Sequence, residues 1–253
     1  MNVFDLPPLA ALLDLAFRGL MALSAALTPL AGSAAAALAV VLVTLLVRIL
    51  LIPVGVSQAR AEQTRARLAP KLRELQRRHG RDRERLQRET MQLYRDEKTS
   101  PFAGCLPLLA QAPVVGLVYA VFLHPMIAGH ANTLLGETLL GVPLGAGLWS
   151  GVISGSLDAA TAGVIGVLVV LIAALGEATR RLFRPAPVPE GAPAMPAAAL
   201  GALQFATAVV ALFVPLAAGL YLFTTSAWTL GQRLVLRRLI PPAAPSLRAA
   251  RPR

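Results

Sequence analysis

The chain has 253 residues, 56% of them hydrophobic, and a formal net charge of +11. Soluble domains average about 45–50% apolar residues, so this composition excludes an ordinary soluble enzyme and points to a polytopic membrane protein. The single cysteine, Cys105, excludes an intrachain disulfide, and arginine clusters in so apolar a chain point to membrane topology and anionic lipid rather than DNA.

Residues 1–32 read as an extracytoplasmic N-terminus. Within it, Leu6–Leu27 is apolar but interrupted by Asp14 and Arg18. Charges four apart share one helical face, which fits an amphipathic helix lying at the membrane surface better than a span. No cleavable signal peptide is expected, because Asp5 and Asp14 fall where a basic n-region belongs. The first span, 33–54, is long enough to cross a hydrocarbon core of about 30 Å. It contains Arg48 and is expected to stop at Pro53 and Gly55. Arginine at such depth costs from about 2.5 kcal/mol on insertion scales to about 17 in simulations. A helix that carries this cost is expected to use the charge.

Residues 55–100 change character completely. Leu68, Leu72 and Leu75 recur at helical spacing, Leu86 and Leu93 lie seven apart, and His79-Gly80 makes a natural turn. The pattern predicts a helical hairpin with a thin leucine seam and Arg/Glu faces. Pro70 suits a first helical turn, so the leading arm is expected to kink there. The seam promises little packing energy, and a mobile hairpin follows. A second span, 101–123, contains Gln111 and prolines 107 and 113. The loop 124–160 is glycine-rich and holds Glu137 and Asp158 but no Lys or Arg. A third span, 161–182, carries Glu177 and is followed by a Pro-rich linker, 183–196. Pro215 separates a fourth span, 197–214, from a fifth, 216–236, and the basic tail 237–253 is too Pro-rich to fold.

The positive-inside rule orients these segments. The hairpin, the Arg180–Arg184 cluster and the tail are expected to be cytoplasmic, whereas the N-terminus and the loop free of Lys and Arg face outward. The expected fold is an all-α polytopic membrane protein: five transmembrane helices, an N-terminal interfacial helix and a cytoplasmic helical hairpin.

Counting 1.5 Å per residue places Arg48 and Gln111 roughly 10–12 Å from the cytoplasmic ends of their spans. Thr225 falls at similar depth, and Glu177 is shallower on the same side. Thr44 stands one turn from Arg48, while Tyr221, Thr225, Trp228 and Gln232 form a stripe on the fifth span. Polar groups at bilayer depth face a protein interior or a wetted cavity. The implied object is a vestibule open to the cytoplasm and sealed outward. Plainer readings stand beside it. Gln111 and Thr225 serve equally as interhelical hydrogen-bond glue, Trp228 as an interface anchor, and Glu177 as a snorkelling carboxylate or a partner of Arg48. The hairpin also reads as a solvated coil. The three histidines lack metal-ligand spacing, and no nucleotide loop or catalytic constellation is evident. Neither enzymatic activity nor a metal or cofactor is expected.

Two stretches resemble a known family. LAPKLRELQRRHGRDRERLQRETMQLYRDEKTSPFAGCLPLLAQAPVVGLVYAVF (Leu68–Phe122) and FVPLAAGLYLFTTSAWTLGQRLVLRR (Phe213–Arg238) are similar to the YidC/Oxa/Alb group of membrane protein insertases. The resemblance covers about residues 33–238 and is to the short form without a large extracytoplasmic domain. It implies a five-helix core in a bacterial plasma membrane, an arginine in the first core helix matched by Arg48, and a hydrophilic client groove. That groove would hold Arg48, Thr44, Gln111, Glu177, Thr225, Trp228 and Gln232. It also implies a hairpin that receives clients through Lys71, Arg73, Arg77, Arg78, Arg81 and Arg83. Nascent membrane proteins and lipids would be partners, with the secretion translocon, the ribosome and the signal recognition machinery as further ones. The sequence departs from the family at Ser100, where an Asn is usual, and at Tyr221-Leu222, where a Tyr-Trp pair is usual and Trp228 is the stand-in. Leu148-Trp149 and Asp158 match the outward loop only loosely. A small anion transporter or channel binding solute at Arg48 is the competing class, and a chaperone that holds clients without inserting them is a third.

Overall fold

The computed structural model describes residues 7–80, 82–97, 116, 119–127, 129–183 and 205–239. These are mostly helical. The helices are α1 (Pro7–Ala31), α2 (Ala35–Leu50), α3 (Ile52–His79), α4 (Arg83–Asp96), α5 (Leu148–Ser154), α6 (Ala159–Leu182), α7 (Ala206–Ala211) and α8 (Leu216–Leu239). Residues 119–123 are helical as well. Two strand pairs, β1–β2 (Met126–Ile127 with His130–Ala131) and β3–β4 (Thr138–Leu139 with Val142–Pro143), are both antiparallel. The chain divides into two compact units. The first comprises Met1–Leu50, Ala112–Ala186 and Met195–Leu230, and the second Leu51–Gln111, Pro187–Ala194 and Gly231–Arg253.

In the first unit, α1 and α2 are joined by a 3-10 turn at Gly32–Ala34, whose Gly32 has a left-handed φ of 53°. The two helices pack against each other. Helix α1 extends beyond the expected Leu27 to Ala31, and Asp14 and Arg18 form their i,i+4 ion pair at 2.8 Å. Small residues let helices approach closely: Ala36 and Ala39 of α2 and Ala217 and Ala218 of α8 are fully buried. A Cβ added to Gly219 would lie 2.8 Å from Leu168 Cδ2, so a side chain there would force the Leu168 methyl to move. The outward faces are apolar too. Leu42, Leu46 and Ile49 of α2 and Val167, Val170 and Leu171 of α6 are exposed. A helix apolar all round belongs in a core or in lipid, and these residues are outside the core. The stretches Ala10–Leu50 and Ala159–Leu182 are long and apolar enough to cross a membrane.

The loop without Lys or Arg is folded onto this unit. Ile127, Leu134, Val142 and Leu144 are buried in the same core as the helices. Asn132 Nδ2 donates to the carbonyls of Val121 (2.6 Å) and His124 (2.9 Å), satisfying the orphan acceptors at the end of helical residues 119–123. The β3–β4 turn places Leu140 at φ 54° and Gly141 at φ 81°. Glycine or Asn adopts that conformation readily, whereas a leucine there costs about 1–2 kcal/mol. At the loop's far end, Trp149 N donates to Leu212 O (3.1 Å), while Leu216 N and Ala217 N donate to Ala146 O (2.8 Å) and Leu144 O (2.9 Å). The loop thereby caps the N-terminus of α8 just beyond Pro215, where no proline amide is available.

The second unit holds α3 and α4. One expectation about proline needs correcting. The first helix ends at Leu50, and Pro53 lies in the first turn of α3 rather than closing α2, because proline's missing N–H is harmless at a helix start. Helix α3 then runs through Pro70 as one continuous element from Ile52 to His79. The turn falls at His79-Gly80. Gly80 has φ −59°, and it is required by crowding: a Cβ would lie 2.6 Å from Gln76 O. Asp82 caps α4 by accepting from Arg85 N at 3.0 Å.

Candidate functional site

Arg48 sits in the last turn of α2. The helix that carries Arg48 ends two residues later, before Pro53. A cation at a helix C-terminus is favoured by the carbonyl dipoles. The side chain is half-buried, and no carboxylate pairs with it among the described residues. Glu177, on α6 in the same unit, is engaged elsewhere. Its carboxylate accepts from Arg180 Nε (2.6 Å) and Nη2 (2.8 Å) and from Arg181 Nε (2.6 Å). The i+3 and i+4 arginines of its own helix are nearer in sequence and geometry than any distant cation.

Thr44 and Thr225 differ in what their hydroxyls do. Thr44 is buried and donates to Val40 O of its own helix at 2.7 Å. That bond spends its donor and leaves only acceptor capacity. Thr225 Oγ1 is buried with no hydrogen-bond partner among the described residues, whereas the Thr225 carbonyl accepts from Thr229 Oγ1 at 2.8 Å. A buried hydroxyl in that condition is where water or a ligand's polar group would bind. Trp228 is half-buried and makes a contact of its own. Gln232 belongs to the second unit, where its amide lies against the backbone of α3: a Cβ on Gly55 would come within 2.0 Å of Gln232 Nε2. Gly55 is thus a packing glycine rather than a helix stop. Gln111 and Arg81 lie outside the described residues.

The cations of the second unit fall into groups. Lys71 Nζ and Arg67 Nη2 both donate to Glu97, the latter at 2.8 Å. The Lys71 hydrogen bond, with the charge of Arg67 beside it, holds the Glu97 carboxyl below its ordinary 4.5. Arg77 (3.5 Å) and Arg78 (2.7 Å) pair with Glu74, and Arg73 makes an interaction of its own. Arg83 is exposed at one end of a shallow concavity of about 290 Å³ along α4, lined also by Leu86, Gln87, Thr90, Met91 and Tyr94. These residues recur at i, i+3, i+4, i+7, i+8 and i+11, a single face of the helix. Glu97 was not among the expected site residues. Nothing local signals a carboxylate whose partners lie 26 and 30 residues upstream.

Comparison with known proteins supplies the context for this arrangement. A membrane protein insertase YidC of Clostridium perfringens is 33% identical over 117 residues, 46% of this chain and 49% of the relative. Proteins of the same name are 37% identical over 99 residues in Oceanobacillus iheyensis and 40% over 94 residues in Pasteurella multocida. Each of these covers 37% of this chain, and they cover 39% and 17% of the respective relatives. The matched part therefore spans half or less of the curated relatives' length. The family model described as 60Kd inner membrane protein matches residues 27–243, far more than half of the sequence. With its motifs, its apolar helices and this match together, the chain belongs to the 60Kd inner membrane protein family, the YidC family.

Proposed function

We propose that the chain is a membrane protein insertase that eases client segments into the bilayer through a polar groove, with Arg48 as its attracting charge. One observation carries this reading. Arg48 ends an apolar helix with no carboxylate paired to it among the described residues, while Glu177 is occupied by Arg180 and Arg181. A neutralised arginine would attract nothing, whereas a half-buried cation left without a partner offsets the desolvation of a client carboxylate. At about 6 Å and an effective dielectric near 20 the attraction is about 3 kcal/mol. Thr225 Oγ1 supplies a buried polar site on α8 for water or client backbone. The client helix then partitions downhill into lipid, so no fuel is required.

In this reading five spans surround the groove, with the N-terminus outside and the tail in the cytoplasm of a bacterium. Residues 55–100 supply the basic surface that first meets clients, using Lys71, Arg73, Arg77, Arg78, Arg81 and Arg83. Ribosome, secretion translocon and signal recognition machinery would deliver those clients.

The test reconstitutes the protein in sealed liposomes and follows protease protection of a single-span client with an acidic translocated tail. Arg48→Ala should reduce protection on the order of tenfold, corresponding to about half the estimated attraction. Arg48→Lys should retain most of it, and a client with a neutral tail should be little affected. Equal protection of the acidic client by native protein and Arg48→Ala would overturn the proposed role of the charge.

A further inference from the structure

Helix α5 has its sides the wrong way round for a loop in water. Trp149, Val152 and Ile153, at i, i+3 and i+4, share one face and are 51%, 55% and 70% exposed. The side turned inward is supplied by Gly151, where an added Cβ would meet Leu157 Cδ1 at 3.2 Å. Trp149 also stacks at a tilt on Phe213, with ring centroids 5.4 Å apart, and Phe213 is itself 54% exposed. The apolar surface thus continues from α5 onto the corner between α7 and α8, and the Trp149 N to Leu212 O bond fixes it there. A second point of the same segment shows the same preference. Leu140, at the β3–β4 tip, is 77% exposed in a left-handed conformation that Asn would adopt with less strain.

We propose that α5, Phe213 and Leu140 form a foot that docks into the headgroup–acyl boundary of the extracytoplasmic leaflet; this rests on the membrane orientation given above. The chemistry selects lipid over water, because contiguous exposed apolar surface marks an interaction site and Trp and Phe at the ends of spanning helices belong to the interfacial belt. It also selects against electrostatic recognition. Residues 124–160 contain no Lys or Arg, so the foot has nothing with which to attract anionic headgroups. Docking is therefore indifferent to lipid charge, unlike that of a polybasic anchor.

The chain has two tryptophans, so Trp228→Phe in the full-length protein leaves Trp149 as the sole reporter. Reconstituted into phosphatidylcholine vesicles, Trp149 fluorescence should be quenched about twofold by lipids brominated near the top of the acyl chain. Aqueous iodide should quench little, and adding phosphatidylglycerol should change neither result. Ile153→Asp should shift Trp149 toward iodide and away from the bromolipid. Strong iodide quenching in the Trp228→Phe protein would overturn the proposal, since the loop would then stand in water. Protection from both quenchers would also overturn it, by showing a protein cover such as a second copy. Client insertion by the native protein, with Trp228 intact, is measured in the same vesicles. Its persistence beside a water-exposed Trp149 would reject the foot and leave the insertase reading intact.

Discussion

Leu68→Ala is the substitution to which the α3–α4 pair should be most sensitive. Helix α4 is fourteen residues long and has no fully buried side chain, and a helix of that length is marginal alone in water. Its order depends on what α3 offers, and Leu68 is the leucine of the seam that is completely buried. The remaining seam leucines, Leu72, Leu75, Leu86 and Leu93, are half-buried. Truncation to Ala removes about three methylene equivalents at about 0.8 kcal/mol each. The cavity left behind brings the loss to about 3 kcal/mol, within the range for buried leucines. The ion pairs on Glu97 are exposed and screened by solvent, so they do not compensate. A loss of about 3 kcal/mol raises the open population on the order of a hundredfold. Hydrogen exchange of the reconstituted protein reads this directly. Amides of α4 should lose about two decades of protection while those of α6, in the other compact unit, keep theirs. Unchanged exchange in α4 would refute Leu68 as the clasp. Equal acceleration in α6 would refute the independence of the two units.

Three further outcomes follow from the same geometry. Glu97 is depressed below its ordinary value by Lys71 and Arg67, so its contribution is complete above 4.5 and is lost as pH falls through the lower folded-state value. Exchange of α4, corrected for intrinsic rate, should be flat from about pH 7 to about 5 and rise below about 4, and Glu97→Gln should remove that dependence. Gly55→Ala should displace the Gln232 side-chain amide at a cost of about 1 kcal/mol or less, lowering the thermal midpoint in detergent slightly. Adding Gln232→Ala should restore part of it. Asp158→Ala should speed exchange of the first-turn amides of α6, because Asp158 Oδ1 accepts from Thr161 N at 3.3 Å. The hydrogen bonds from Thr161 hold that carboxyl below its usual range, so acidification through its folded-state value should reproduce the effect.

What could be read from sequence was whatever announces itself within a few residues. The apolar runs of α2 and α6, the break at Pro215, the His79-Gly80 turn and the Asp14–Arg18 pair all depend on local period or local chemistry. The Glu177 pairing escapes the sequence reading although its signal is local: a snorkelling carboxylate or a partner of Arg48 is expected there, while EATRR sets two arginines within reach. Pro53 carried two meanings, a stop for one helix or the first turn of the next, and only the observed break at Leu51 chooses between them. Pairings over long separations left no trace. Gly55 against Gln232, and Glu97 with Lys71 and Arg67, join residues whose partners have no fixed spacing to detect. Leu140 broke its local rule outright, and such violations tend to mark places where something outside the chain takes part.

The bonds that cap α8 set an order of assembly. Leu216 and Ala217 need the carbonyls of Ala146 and Leu144, made about seventy residues earlier. Until that loop has folded, the first amides of α8 lack these acceptors, and a buried amide left unpaired costs about 1–3 kcal/mol. The growing chain therefore completes the Leu144–Ala146 segment before α8 can settle. A product truncated before Leu216 would carry two carbonyls waiting for a helix that never arrives. Quality control could recognise an unfinished copy by that feature.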